Sequence, residues 1–351
     1  MGDIQFGLFD HITCPPGADV AELYEGRLAL LRKADAAGFR GLHLAEHHGH
    51  GLSATPSQTV FLSAVARETE HLRLGLLVAC LPLHHPVRLV EEIAMLDQLS
   101  DGRVDLGVGR GISPFEHRLF GHDPDASRER FAELLPLVLA GLTTGRMASD
   151  GAGGVAFPEI ELPVGPVQRP YPPLWAAGNV EAAGRNGLNV VSGVPVTADM
   201  RARYDELWAE SRRAAEPLNP HVATPLVGSS QYVVIADTDA EARRIGERAL
   251  DVLGDFLARS IGREPPHRQD PDHPEPPTPL VQAVRSRAPG VLLCGTAETV
   301  RDHYVRYAAE GTVNYLVVNV PFGDMTFAEA ERTLDAFIAV VMPAVRAAVS
   351  R

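Results

Sequence analysis

Short β-rich runs alternate with amphipathic stretches along the whole chain. Ile4–Phe9 reads as a first strand and Gly41–Ala45 as a second. Leu72–Leu81, Val104–Val108, Pro173–Ala177, Asn189–Val194, Gln231–Ala236 and Tyr315–Val320 read as six more. Between them the apolar spacing is helical. Val20–Gly38 places Leu23, Leu28, Leu31 and Ala34 at helical intervals and stops at Gly38. Pro86–Leu99 opens with proline in its first turn and puts Leu89, Ile93 and Leu96 on one face. Gln58–Glu70, Asp199–Ala215, Thr238–Ala258, Ala297–Ala309 and Phe327–Val349 are also predicted helical, as is Arg128–Leu142, where Pro136 should introduce a kink. Met147–Tyr171 is rich in Gly and Pro and reads as an excursion.

Eight strands with helices between them predict a (β/α)8 TIM barrel over residues 1–351, one domain with insertions after strands 4 and 7. The competing architecture is an open doubly wound sheet. No G-x-G-x-x-G opens the first βα unit, and Gly107-Val108-Gly109-Arg110-Gly111 follows the fourth strand with a different spacing. The second insertion, Gly262–Pro289, carries eight prolines, which deny it a central strand or a long helix. It reads either as a surface insertion or as a mobile lid over the barrel mouth.

Composition narrows the partners. The 351 residues include 45% hydrophobic side chains, ample for a large core, and 32 Lys and Arg against 45 Asp and Glu give a net charge of −13. Such a surface argues against nucleic acid or an anionic membrane as the main partner. No apolar run reaches the ~20 residues that span a bilayer. The N-terminus shows no basic region followed by an apolar one, so no signal peptide is expected. Cys14, Cys80 and Cys294 are scattered and odd in number, which suits a reducing cytoplasm and offers no zinc cluster.

Candidate chemistry gathers at strand ends. Glu46-His47-His48 closes the second strand, where barrel side chains point into the mouth and histidine can move a proton near neutral pH. His43 and His50 lie close by, but no metal-ligand spacing joins them, and no metal is expected. Gly109-Arg110-Gly111 closes the fourth strand, with glycines that let a ligand approach and an arginine that can clamp an anionic oxygen or serve as a turn ion pair. His84 and His85 read as structural. Phe9, Leu52 and Phe115 are expected to give the mouth an apolar character that suits a hydrophobic substrate.

These residues resemble the bacterial luciferase-like flavin monooxygenases. The resemblance is carried by GFRGLHLAEHHGHG (38–51), LRLGLLVACLPLHHPVRLVEEIAMLDQLSDGRVDLGVGRG (72–111), FGHDPDASRERF (120–131), GVAFPEIELP (154–163) before PPLWAAGN (172–179), and CGTAETV (294–300). It implies a barrel paired through its helices as a homodimer or heterodimer. It also implies reduced FMN, supplied by a separate flavin reductase, which reacts with O2 to give a flavin hydroperoxide that attacks a small organic substrate. On this resemblance His47 is the family's catalytic histidine. Leu77-Val78 packs under the isoalloxazine, often through a cis bond, Gly109 lies beside the reactive flavin carbon, Arg110 contacts the phosphate, and Gly262–Pro289 is the mobile lid. Gly111, Gly178 and Asn179 complete the expected cofactor contacts. One stretch departs from the family pattern. Trp175-Ala176-Ala177-Gly178-Asn179-Val180-Glu181 has no Ser or Thr to hold a phosphate, and Glu181 falls in the first helical turn, where it would repel one. Two alternatives follow: a non-catalytic subunit of a heterodimer, or a deazaflavin-dependent oxidoreductase on the same barrel.

Overall fold

The computed structural model describes residues 4–261, 281–282, 284, 286–288 and 290–350. Eight parallel strands close into a barrel: β1 (Gln5–Asp10), β2 (Gly41–Leu44), β3 (Arg73–Cys80), β4 (Val104–Gly109), β7 (Leu174–Ala177), β8 (Asn189–Ser192), β9 (Val227–Ile235) and β11 (Tyr315–Asn319). Closure is direct, because β1 pairs with both β2 and β11, and β9 pairs with both β8 and β11. The strands are buried on both faces, as parallel strands under a helical coat must be, which is why they read as near-continuous apolar runs. The (β/α)8 architecture is the one predicted.

Helices α1 (Val20–Ala36), α2 (Gln58–Glu68), α3 (Pro86–Leu99), α5 (Ser127–Thr144), α7 (Ala198–Ser211), α8 (Asp239–Ile261), α9 (Ala297–Ala309), α10 (Phe327–Ala336) and α11 (Met342–Val349) are joined by two short ones, α4 (Pro114–Leu119) and α6 (Val180–Arg185). Their starts follow local chemistry. Asp19 caps α1, and Thr326 and Glu329 form a reciprocal capping box on α10.

The structure differs from the sequence reading in four places. The excursion contains an antiparallel hairpin of β5 (Arg146–Asp150) and β6 (Ala156–Glu161), too short and glycine-broken to show a period. The seventh barrel strand begins at Val227, four residues earlier than predicted, and its far half carries an added strand, β10 (Leu292–Gly295). Helix α5 runs through Pro136. That residue and Ala132 both face solvent, so the carbonyl left without a donor can reach water. The final helix is split by a wide turn at Phe337–Val341, just before Pro343, whose missing N–H forbids a regular ladder there.

Most of the proline-rich insertion, including 262–280, lies outside the described residues, and so does the lid expected there. Its far end is not wholly a surface insertion, because Val281 and Val284 are buried in the main hydrophobic cluster.

The floor of the barrel is polar, and that sets how the strands pack. Asp105 on β4 accepts from Arg73 Nε at 2.9 Å and pairs with Arg40. The Arg40 guanidinium stacks over Trp175 at 5.0 Å and Tyr315 at 5.7 Å. His43 Nε2 bonds the Tyr315 hydroxyl at 3.0 Å. Room for these rings comes from glycine: a Cβ at Gly7 would lie 1.9 Å from the Tyr315 hydroxyl, and one at Gly75 would lie 2.3 Å from His43 Nδ1. Burial alone would raise the Asp105 carboxyl, but the two guanidiniums hold it well below the usual carboxylate range.

Breaking this pair should leave uncompensated buried charge. Asp105→Asn is expected to cost about 3–5 kcal/mol of stability, read from the urea midpoint at unchanged m-value. Arg88→Ala, which removes an exposed pair with Glu92, should leave the midpoint in place. Equal midpoints for the two variants would contradict the role given to the floor.

Candidate active site

At the C-terminal ends of the strands the barrel opens into a cavity of about 470 Å³. Its walls are largely apolar. Leu77 and Val78 come from β3, Val108 from β4, Ala176 and Ala177 from β7, and Val191 from β8. The Leu77–Val78 peptide is cis. Polar groups enter from five strands: His11 after β1, Glu46 and His47 after β2, Arg110 after β4, Ser230 and Tyr232 within β9, and Asn319 ending β11.

His47 is fixed by a buried carboxylate. Its Nδ1 lies 3.0 Å from Glu116 Oε1, and the same oxygen takes the His48 backbone N–H at 3.0 Å and His50 Nε2 at 3.0 Å. Burial pushes the Glu116 carboxyl up, but hydrogen bonds from His47 and His50 outweigh it and hold the group at about 2. An ionised carboxylate can only accept, so the hydrogen-bond pattern assigns the proton of neutral His47 to Nδ1. Nε2 is then a bare lone pair, and it has no partner among the described residues. His47 is therefore positioned and electronically set as a base.

Glu46 plays no such part. Its two oxygens accept from His48 Nε2 at 2.9 Å, His84 Nε2 at 2.9 Å and the Cys80 backbone N–H at 2.9 Å. Burial opposes its charge, yet bonds from His48 and His84 lower it to about 2. This gives His84 the structural task read from the sequence, while His85 precedes α3 and packs near Phe157. Burial, then Glu46 and Glu116, push the Cys80 thiol well above its usual range, so it is a poor nucleophile.

All the site residues expected from the sequence line this cavity except Asn179. His47, Leu77, Val78, Gly109, Arg110, Gly111 and Gly178 are brought together. Asn179 instead spends its side chain capping α6, accepting from the Ala182 N–H at 2.9 Å. The glycines divide by role. A Cβ at Gly109 would strike Val78 at 2.5 Å, so this glycine lets two strands close up, whereas one at Gly178 (φ +84°) would meet nothing within 4 Å. Arg110 donates from Nη1 to Ser127 Oγ at 3.1 Å and forms no ion pair among the described residues, so the turn ion pair is not what occupies it. Of Phe9, Leu52 and Phe115, only Phe9 lines the cavity. Leu52 is fully buried in the main hydrophobic cluster.

Glu116, His11, Tyr232, Ser230 and Asn319 were not singled out from the sequence. Ser113-Pro114-Phe115-Glu116 has the spacing of a helix cap, and Ser113 does accept from the Glu116 N–H at 3.2 Å. The carboxylate, however, turns to the histidines instead of closing the cap. His11 and Asn319 sit at strand C-termini, a position that marks mouth residues in a barrel. His47, His50 and Glu116 also lie close enough to hold a cation. Both histidine bonds run to one carboxylate oxygen, and they account for the cluster without an ion.

Burial makes His11 and His43 the acid-sensitive groups. Desolvation lowers each to about 3, against about 6.5 for a free histidine. The unfolded chain therefore binds more protons below pH 6.5, and stability falls as pH drops from there toward 3, by up to about 1.4 kcal/mol per pH unit for each histidine. Glu46 and Glu116 act lower down: their contribution is full above the usual 4.5 and is lost as pH falls through about 2. His11→Asn should flatten the dependence of stability on pH between 6 and 4 by about one proton, as measured by urea unfolding. An unchanged slope would contradict the neutral burial of His11.

Comparison with known proteins places this geometry. Residues 4–314 match the sequence model of the luciferase-like monooxygenase family. The chain is 33% identical over 333 residues to an uncharacterised protein of Sinorhizobium fredii, covering 92% of each. It is 26% identical to the oxygenase component of a flavin-dependent trigonelline monooxygenase from Acinetobacter baylyi, covering 97% of this chain and 95% of that one. The oxygenating constituent of 3,6-diketocamphane monooxygenase from Pseudomonas putida, solved with FMN, shares the fold at TM-score 0.69 and 20% identity, over 97% of this chain and 98% of that chain. The closed barrel, the basic histidine at its mouth and the match over nearly the whole chain agree, and the protein belongs to the luciferase-like monooxygenases, a family of oxidoreductases.

Proposed function

We propose that this chain is the oxygenase component of a two-component flavin system. It would bind reduced FMN handed over by a separate reductase and use O2 to oxygenate a small hydrophobic molecule. The observation that carries this reading is the bare His47 Nε2 facing an apolar-walled cavity that also presents the Arg110 guanidinium, which has no ion pair among the described residues.

The residues fit the cofactor. The cavity falls within the ~300–1,000 Å³ common for cofactor sites. The aliphatic wall of Leu77, Val78, Val108, Ala176, Ala177 and Val191 suits a flat ring system. Arg110 is the one Lys or Arg among the described lining residues and would hold the phosphate through paired N–H bonds. Gly178 leaves open space beside it. The repulsion anticipated from Glu181 is offset, because its carboxylate pairs with Arg185 at 2.7 Å and faces Arg203 at 3.8 Å.

Bound reduced FMN supplies the electrons that activate O2. The chain's own part is then acid–base and solvent control. His47 takes a proton at Nε2, Glu116 keeps the ring oriented and compensates the resulting charge, and the aliphatic wall excludes water. A second copy of the chain would sit against α2 and α3, where Val60, Met95 and Leu99 are 72%, 53% and 45% exposed.

His47→Ala should keep the fold and reduced-FMN binding but lower oxygenation by roughly 100-fold or more, as measured by single-turnover kinetics. Unchanged rates would remove His47 from the chemistry. Arg110→Ala should weaken FMN roughly 10- to 150-fold, the cost of losing hydrogen bonds to a charged group, and leave riboflavin binding unchanged. Equal weakening of both ligands would assign Arg110 to the shape of the mouth instead of the phosphate.

A further inference from the structure

Three neighbouring strands, β9, β11 and β1, bring a second set of polar side chains to the mouth, and the acid–base chemistry above uses none of them. Tyr232 lies on β9, in register with Asn319 at the end of β11, and His11 follows β1. All three line the main cavity, and all three also border a second, much smaller packing gap.

Two of these groups have no partner for their polar atoms. The His11 ring packs edge-on against Phe9 at 4.9 Å and stacks on His47 at 5.7 Å with 15° between planes. Neither of its nitrogens is hydrogen-bonded among the described residues. The Tyr232 ring leans on Phe322 at 4.8 Å, and its hydroxyl likewise finds no partner there. Asn319 donates from Nδ2 to Ser230 Oγ at 2.6 Å. Both side chains are half-buried and line the cavity, so their polar atoms are open to a ligand that enters it and can complete their hydrogen bonds.

We propose that His11 and Tyr232 are specificity-determining residues that grip an uncharged oxygen, carbonyl or hydroxyl, on an otherwise apolar substrate. This deepens the oxygenase reading and rests on it for the identity of the reaction. The corner carries no formal charge. Burial keeps the imidazole neutral and the phenol protonated. Nearby Asp10 is taken up by the Ile12 N–H at 2.6 Å and Arg27 Nε at 3.2 Å. A substrate carboxylate placed here would lose its hydration and gain no counter-charge. An ammonium would fare no better, because Glu46 and Glu116 already spend their oxygens on histidines and backbone. A neutral oxygen pays little desolvation and receives N–H and O–H donors.

The test compares four probes of one shape on the FMN-loaded protein by calorimetry: acetophenone, ethylbenzene, benzoate and benzylammonium. Acetophenone should bind the wild type more tightly than the other three. Tyr232→Phe, which deletes one oxygen and keeps the ring, and His11→Phe should each weaken acetophenone about 10-fold while changing ethylbenzene by less than a factor of about 2. The proposal is overturned if benzoate or benzylammonium binds as well as acetophenone, if ethylbenzene matches acetophenone in the wild type, or if Tyr232→Phe leaves acetophenone binding unchanged. Titration with reduced FMN is the separate control. If the wild type binds no FMN, the oxygenase reading fails, and the probe comparison on the FMN-free protein still decides the corner.

Discussion

The Glu116 carboxylate, buried at the start of α4, is the group on which the mouth of this barrel depends. One of its oxygens collects His47 Nδ1, His50 Nε2 and the His48 backbone N–H, each at 3.0 Å. Those three donors outweigh the cost of burying the charge and keep the group ionised. The ionised oxygen in turn dictates the tautomer of His47, and the tautomer decides which nitrogen faces the cavity as a base. Geometry and chemistry at the site therefore follow from a single buried anion.

Charge elsewhere in the barrel is handled in the same way. Glu46 is closed off by His48, His84 and Cys80, and Asp105 by Arg40 and Arg73. Both carboxylates are full members of the interior and are unavailable for reaction. Among the lining residues this leaves three kinds of unspent polar group: a base at His47, a cation at Arg110, and the neutral corner of His11 and Tyr232. All of them line one largely apolar cavity. The division suits a reaction in which an anionic cofactor group, a proton and a neutral substrate oxygen must each find its own partner.

The fold was legible because a parallel barrel buries both faces of each strand, and β11 (YLVVN) or β3 (RLGLLVAC) can hardly read as anything else. The hairpin of β5 and β6 escaped because its strands are half exposed and broken by Gly151, Gly153 and Gly154. At the site, His47, Arg110 and the Leu77–Val78 pair were marked by strand ends and by family resemblance. Glu116 was hidden because Ser-Pro-x-Glu spells an ordinary helix cap, and nothing local shows the carboxylate crossing to β2. Tyr232 was hidden inside a strand whose alternation is lost to burial on both faces. Long-range pairing of this kind is set by barrel closure, which sequence spacing does not encode.

The most direct test of the account is the protonation of the His47 ring itself. Nitrogen NMR of histidine-labelled protein near pH 7, assigned with His47→Gln, reports each ring nitrogen separately. The account predicts that the neutral form of the ring carries its proton on Nδ1, shared with Glu116, and leaves Nε2 unprotonated. A His47 ring protonated on Nε2 with a bare Nδ1 would contradict it, because Glu116 could then neither hold the ring nor leave a base facing the cavity.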